Sequence, residues 1–244
     1  MSKTTIAVDL AHAVARRGFY ATLLDTDDQG HIAVALALKP GPQMYNWLST
    51  LATGTYVSPE ERSANRSGLM YVPGNKFTAL AEHTIKAAID AGMISLSQMV
   101  ALIRNNINTA NKTGYNVFVD TRSGGVLQEL FIAAADQLLI PSTMDTLSIS
   151  RLNETLAIAK RHDQGHGQQI SIVPAMYNGH IRDQRINLEQ VQETFGGMVL
   201  DPIPFRTARK EAVAFGQTAF ECRDCRKVAE AIEAIADIFM KEIA

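Results

Sequence analysis

Short apolar runs alternate with longer segments of helical periodicity along the chain. In residues 5–17 the apolar side chains of Ile6, Leu10 and Val14 are four positions apart, which predicts a helix that stops at Gly18. Apolar runs predict strands at Tyr20–Leu24, Leu69–Val72, Asn116–Val119, Gln137–Ile140 and Ile170–Pro174. Further helices are predicted at about 76–91, 95–109, 145–161, 185–195 and 224–242, with a short apolar run at Met198–Ile203 and a surface loop at 53–67.

This alternation of strands and helices predicts an α/β fold, in which a doubly wound, mostly parallel sheet carries helices on both faces. The length of 244 residues fits a single domain, 1–244. Ligands of such sheets bind beyond the carboxyl ends of the strands. Asp25, Asp27 and Asp120 lie at or just past predicted strand ends, so we expect the functional site there.

Composition and charge exclude several classes of protein. Hydrophobic residues make up 46% of the chain and charged residues 20%, which excludes a disordered or fibrous protein. No apolar run is long enough for a transmembrane helix, and two cysteines cannot build a disulfide framework, so a cytoplasmic protein is expected. With a net charge of −2, any binding of nucleic acid must come from a local basic patch.

Three short segments carry residues suited to phosphate and metal chemistry. Lys3-Thr4-Thr5 opens a helix, as at the end of a phosphate-binding loop, although a helix start with a chance lysine reads the same. Asp25 and Asp27 either cap the following helix or support a Mg²⁺ shell and orient an attacking water. The apolar strand that runs into Asp120 has the form of a Walker B strand, whose carboxylate reaches the metal directly or through water.

Taken together and in this order, the segments resemble the ParA/MinD family of partition ATPases, which have a deviant Walker A motif. The resemblance extends over the whole chain and is nearer to ParA than to MinD. The matching segments are Ser2-Lys3-Thr4-Thr5 for the family's Gly-Lys-Thr-Thr, Asp25-Thr26-Asp27-Asp28-Gln29-Gly30 for Asp-x-Asp-Pro-Gln-Gly, Asp120-Thr121-Arg122-Ser123 for Asp-x-Pro-Pro, Ala134-Ala135-Asp136 before the strand that reaches Pro141, the Met-Tyr within Ile172–Asn178, and Glu211–Gly216 for Glu-Ala-x-x-Phe-Gly.

The sequence departs from the family pattern at its start and at three prolines. The family's Lys-Gly-Gly-x-Gly and the strand before it would precede Met1, together with the signature lysine. We therefore expect a P-loop NTPase fold without its first strand and the start of its phosphate loop, in which two neighbouring strands lose their pairing. Asp28 and Arg122-Ser123 replace the prolines of the pattern. These departures leave open whether ATP is hydrolysed.

The resemblance implies a function and a set of site residues. The expected protein is an ATPase of plasmid or chromosome partitioning, with ATP and Mg²⁺ as cofactors and an ATP-dependent homodimer as its active form. Its expected partners are non-specific DNA and a centromere-binding, ParB-like protein, with no membrane contact and a nucleoid-associated location in the cytoplasm. Lys3, Thr4 and Thr5 would bind the nucleotide, Thr4, Asp25 and Asp120 would hold Mg²⁺ or its shell, and Asp27 and Lys3 would act in catalysis.

The resemblance also assigns DNA binding to basic residues before the Glu-Ala-x-x-Phe-Gly turn, which here are Arg206, Arg209 and Lys210; a solvated charged face is the alternative. For the whole chain, one alternative is a truncated or degenerate ParA-like protein that binds a partner or DNA without hydrolysing ATP. An iron–sulfur relative of the same superfamily is disfavoured, because the two cysteines, Cys222 and Cys225, lie late in the chain.

Overall fold

Helix α1 (Lys3–Arg16) and strand β1 (Tyr20–Asp25) open the fold. Gly18 joins them with a positive φ of 88°, a left-handed conformation that glycine adopts without steric cost. The structure is a computed structural model, and it describes residues 3–53, 58–112, 114–162 and 167–240.

The elements that follow alternate strands and helices, as the sequence predicts. The further strands are β2 (Arg62–Arg66), β3 (Leu69–Val72), β4 (Tyr115–Asp120), β5 (Gln137–Ser142) and β6 (Gln169–Pro174). The further helices are α2 (His31–Ala35), α3 (Gln43–Ala52), α4 (Thr78–Asp90), α5 (Leu96–Lys112), α6 (Val126–Ala134), α7 (Thr146–His162), α8 (Arg182–Phe195), α9 (Thr207–Ala214) and α10 (Arg226–Met240). Short 3₁₀ turns lie at Gly196–Met198 and Arg223–Cys225.

The strands form two sheets. In the first, the order is β2-β3-β1-β4, with β3, β1 and β4 parallel and β2 antiparallel at the edge. The second sheet is the parallel pair β5–β6. Within the described residues β4 and β5 are not hydrogen-bonded to each other, so the sheet is interrupted between them. The predicted α/β fold with a mostly parallel sheet is therefore confirmed.

Helices cover both faces of the sheets. On β1, Leu23 packs into a cluster with α1 and α2, whereas its neighbour Leu24 packs into a cluster with helices α3 to α6. This alternation follows from the period of two along a strand. Helices α1 and α10 cover Phe118 of β4 and Val173 of β6, and α7 and α8 cover the opposite face of β5 and β6.

One prediction about local structure is corrected. The predicted loop at 53–67 contains strand β2, and its residues 54–57 lie outside the described residues. The predicted apolar run Met198–Ile203 lies beside β6 and makes one isolated bridge to it, from Val199 to Ile172. No helix in the described ranges combines the length and the apolar character needed to cross a membrane.

Candidate functional site

The carboxyl ends of β1 and β4 meet beside the start of α1. Asp25 and Asp120 end these two strands and are direct neighbours in the parallel register. Just beyond β1, Thr26 donates from its backbone N–H and from its hydroxyl to the carbonyl oxygen of Asp120, at 3.1 Å and 2.8 Å. The loops that follow the two strands are therefore joined at their base.

The first turn of α1 places a cation and a hydroxyl against Asp120. The Thr4 hydroxyl hydrogen-bonds the Asp120 carboxylate, and Lys3 Nζ donates to Ser123 Oγ at 2.7 Å. Burial raises the pKa of Asp120 to about 6, although the Thr4 hydrogen bond and the Lys3 charge oppose this shift. Burial also lowers the pKa of Lys3, against the charges of Asp120 and Asp27. The predicted residue Thr5 is next on the helix and is buried.

One oxygen of the Asp120 carboxylate is available to a metal ion. Asp120 Oδ2 is buried and has no hydrogen-bond partner within the described part of the chain. A buried, unpaired carboxylate oxygen beside the Thr4 hydroxyl is the type of oxygen donor that Mg²⁺ takes. The described residues contain no group of three or more His, Cys, Asp or Glu side chains that could hold a metal. The residues therefore fit a Mg²⁺ that completes its coordination with water and phosphate oxygens.

Asp25 is committed to the loop after β1. Its Oδ1 accepts the backbone N–H of Asp27 at 3.2 Å, and its Oδ2 accepts that of Ile32, in the first turn of α2, at 3.0 Å. Burial and then the negative charge of Asp120 raise the pKa of Asp25 to about 8, while the two N–H groups oppose the shift. The two predicted roles of Asp25 are to cap the following helix or to support a Mg²⁺ shell. These two hydrogen bonds fit the first role, because they hold the loop and the start of α2.

Asp27 is held at the head of the same loop. Its Oδ1 accepts the backbone N–H of Gln29 at 3.0 Å, and its Oδ2 lies 2.9 Å from Nδ1 of His31. Burial would raise the pKa of Asp27, but the hydrogen bonds from Gln29 and His31 lower it below the ordinary value. Gly74 lies against this loop, since a Cβ there would be 2.8 Å from the carbonyl oxygen of Asp27.

Sequence reasoning missed two side chains, those of His31 and Glu82, that hold these loops. His31 follows Asp27 at the i,i+4 spacing, which is a signal that the sequence did offer. Glu82 lies on α4, and its Oε2 is 2.5 Å from Nη2 of Arg122 in the loop after β4. Nothing in the sequence pairs these two residues, which are 40 positions apart.

The three predicted DNA-binding residues do not share one surface. Arg206 and Lys210 are exposed, whereas the side chain of Arg209 is only 1% exposed. Arg209 donates from Nε and Nη2 to the two carboxylate oxygens of Asp9, at 2.9 Å and 2.7 Å, and from Nη1 to the carbonyl of Gln217 at 3.0 Å. The prediction that Arg209 contacts DNA is therefore corrected. All three of its guanidinium nitrogens donate hydrogen bonds to oxygens in the interior of the protein.

The two cysteines are bonded to each other and lie outside the site. Cys222 and Cys225 form a disulfide immediately before α10. Cys225 is fully buried in the cluster that α1 and α10 share. Their pairing leaves no free thiol for an iron–sulfur cluster in this structure.

Comparison with known proteins identifies relatives of the whole fold. A probable plasmid-partitioning protein ParA from Thermus thermophilus is 21% identical over 256 aligned positions, which cover 99% of this chain and 75% of the relative. A variant of McdA from Cyanothece in complex with ATP superposes with a TM-score of 0.80 at 17% identity, over 98% of this chain and 91% of that one.

The MinD protein of Pyrococcus horikoshii OT3 with Mg-ADP superposes with a TM-score of 0.74 at 17% identity, again over 98% of this chain and 91% of that one. At such identities the solved structures establish the likeness of the fold. The CobQ/CobB/MinD/ParA nucleotide-binding domain matches residues 1–219, which is most of the chain. The chain therefore belongs to the CobQ/CobB/MinD/ParA family of nucleotide-binding domains.

Proposed function

We propose that this protein is a ParA-like ATPase that acts in plasmid or chromosome partitioning. It binds ATP with Mg²⁺, forms an ATP-dependent homodimer and binds DNA without sequence preference at the nucleoid, in the cytoplasm. A centromere-binding, ParB-like partner stimulates its hydrolysis of ATP. The observation that carries the proposal is the unpaired, buried Oδ2 of Asp120 beside the Thr4 hydroxyl, where α1 begins and β1 and β4 end.

In this proposal the start of α1 binds the phosphates. Lys3 exchanges its contact with Ser123 for phosphate oxygens, and the start of α1, with Thr5 in its first turn, faces the same negative charge. Thr4 and Asp120 would hold the Mg²⁺, and Asp25 would support its shell indirectly, through the loop whose N–H groups it binds. The Mg²⁺ neutralises charge on the phosphates when the nucleotide is bound.

Asp27 then positions the attacking water. Its lowered pKa keeps it ionised at neutral pH, so it accepts a hydrogen bond from the water and aligns a lone pair with the γ-phosphorus. The water oxygen bonds to that phosphorus as the bond to the β–γ bridging oxygen breaks, and the bridging oxygen leaves with ADP. His31 and the N–H of Gln29 hold the Asp27 carboxylate in place meanwhile.

The test is the rate of ADP formation from Mg-ATP. We expect slow hydrolysis that non-specific DNA stimulates, and we expect Asp27→Ala to lower the rate by about tenfold or more, because the water loses its acceptor. Asp90→Ala is the matched control, since Asp90 is an exposed carboxylate on α4 whose only described contact is to Lys86.

Hydrolysis by Asp27→Ala at the parent rate would contradict the assignment. Calorimetric titration with Mg-ATP separates binding from turnover. A protein that binds DNA but forms no ADP above the blank would match the alternative, a ParA-like protein without hydrolysis. Sedimentation velocity with and without Mg-ATP tests the dimer.

A further inference from the structure

Two of the three positions at which the chain departs from the family's prolines contact each other. Asp28 lies in the loop after β1 and Arg122 in the loop after β4, and Arg122 Nη1 is 3.7 Å from Asp28 Oδ2. The other terminal nitrogen of the guanidinium, Nη2, is 2.5 Å from Glu82 Oε2 on α4. One guanidinium therefore joins two site loops to a helix.

The contact with Glu82 is the fixed half of this arrangement. The Glu82 side chain is 7% exposed, and its Oε1 also accepts the backbone N–H of Leu127 at 3.2 Å, in the first turn of α6. Gly125 leaves the space for this carboxylate, since a Cβ there would collide with Glu82 Oε1. A charged hydrogen bond at a buried carboxylate is stronger than a neutral one, so Glu82 anchors Arg122.

The contact with Asp28 is the adjustable half. The side chains of Arg122 and Asp28 are 37% and 26% exposed, and their separation exceeds hydrogen-bond distance. A partly exposed ion pair of this length is weak and can form or break as the loops move. Proline would restrict each loop through its own φ angle. Here the restriction comes from charge instead.

We propose that Arg122 is a positioning residue that sets the loop carrying Asp27 relative to the loop carrying Asp120. Fixed to Glu82, it draws Asp28, and with it the adjacent Asp27, toward the end of β4. The role rests on the proposed ATPase function, because the geometry that it fixes is that of the attacking water. Displacements of about 1 Å in such geometry cost large factors in rate.

The first test compares kcat and KM for Mg-ATP in variants of the ion pair. Arg122→Ala is expected to lower kcat about tenfold while KM changes less than about threefold, and Arg122→Lys, which keeps the charge, recovers part of the rate. Asp28→Ala lowers kcat less, and the double variant is no slower than Arg122→Ala, because both act through one contact. Lys86→Ala is the control, since Lys86 lies on α4 in an exposed pair.

The second test reads the loop without activity, by hydrogen–deuterium exchange of residues 25–31. Thr26 N–H bonds the Asp120 carbonyl at 3.1 Å and Gln29 N–H bonds Asp27, so this segment contains amides that report the position of the loop. Arg122→Ala is expected to raise their exchange about threefold or more, whereas Lys86→Ala leaves it unchanged. If Arg122→Ala does not fold, Asp28→Ala, at a partly exposed side chain, serves in both tests.

The outcomes separate this proposal from the proposed function. Absence of ADP formation by the parent protein would refute the hydrolysis, and the exchange measurement would still decide the role of Arg122. Unchanged exchange of residues 25–31 in a folded variant would overturn that role. So would a rise in KM at constant kcat, because Arg122 would then act in substrate binding.

Discussion

Replacement of Arg209 by methionine tests whether this residue serves the fold or DNA. Arg209 and Asp9 are 1% and 0% exposed and form two hydrogen bonds, and Asp9 Oδ1 accepts one further N–H, from Ala219, at 2.9 Å. Arg209→Met keeps the aliphatic bulk but leaves the Asp9 carboxylate buried with only that N–H. Removal of one partner of a buried ion pair costs about 3–5 kcal/mol, against about 5–15 kcal/mol for the whole stability of a domain.

The assay is urea unfolding followed by the fluorescence of Trp47, the single tryptophan, which is 2% exposed in the core. A loss of about 4 kcal/mol lowers the urea midpoint by about 1–2 M. Lys210→Met is the matched control, because its side chain is exposed on the same helix and such changes stay within about 0.5 kcal/mol.

The double variant Asp9→Leu with Arg209→Met identifies the cause of the loss. Without the carboxylate no unpaired charge remains, so the double variant should lose less than the sum of the two single variants by about 2 kcal/mol or more. A loss below about 1 kcal/mol for Arg209→Met would refute the reasoning. So would a variant of parent stability that binds DNA more weakly, because Arg209 would then have to reach the surface.

Two further predictions concern His12 and the exposed basic residues. Burial of His12 lowers its pKa from 6.5 to about 4. Between these pH values the unfolded chain binds a proton that the native protein does not bind. The free energy of unfolding therefore falls by up to about 3 kcal/mol as the pH decreases from 6.5 to 4. His12→Gln should flatten this slope in urea titrations at pH 5 and 7. The double variant Arg206→Ala with Lys210→Ala should bind non-specific DNA several-fold more weakly than the parent protein and with a smaller salt dependence. The control Lys227→Ala, on α10, should bind as the parent does. Equal affinity of the double variant and the parent at low salt would refute the assignment.

The strands that carry the site could be predicted because they are apolar runs between helical layers. The sequence predicts Tyr20–Leu24 and Asn116–Val119, and the structure extends these strands to Asp25 and Asp120, the two carboxylates that the site uses. Buried parallel strands read as continuous apolar runs, and their ends are marked by the first charged residue. The expected place of the site follows from that pattern.

Strand β2 and helix α6 could not be predicted by the same means. Strand β2 (Arg62–Arg66) has a single apolar residue, Ala64, and pairs with β3 through an irregular register between Ser63 and Arg66. Its conformation is due to the edge of β3, since the sequence has no strand pattern of its own. Helix α6 (Val126–Ala134) is apolar on most sides and only nine residues long, so no helical periodicity distinguishes it from a strand.

Charged residues were the least predictable part of the site because their partners are distant along the chain. Arg206, Arg209 and Lys210 look equivalent as a basic run. Helix α9 begins at Thr207, however, and directs Arg209 into the interior with Ala212, three positions on. Its partner Asp9 is 200 positions away, and local spacing gives no sign of it.

The burial of Arg209 also relates the nucleotide end of α1 to the surface on which DNA contacts are predicted. Lys3 and Asp9 lie on the same helix, six positions or about 9 Å apart along its axis. Asp9 holds Arg209, and Arg209 lies on α9 between the exposed residues Arg206 and Lys210. Because a buried, two-bond ion pair tolerates little stretching, α9 keeps its place relative to α1. Arg209, which is buried and does not face DNA, therefore fixes the position of the segment that carries the exposed Arg206 and Lys210.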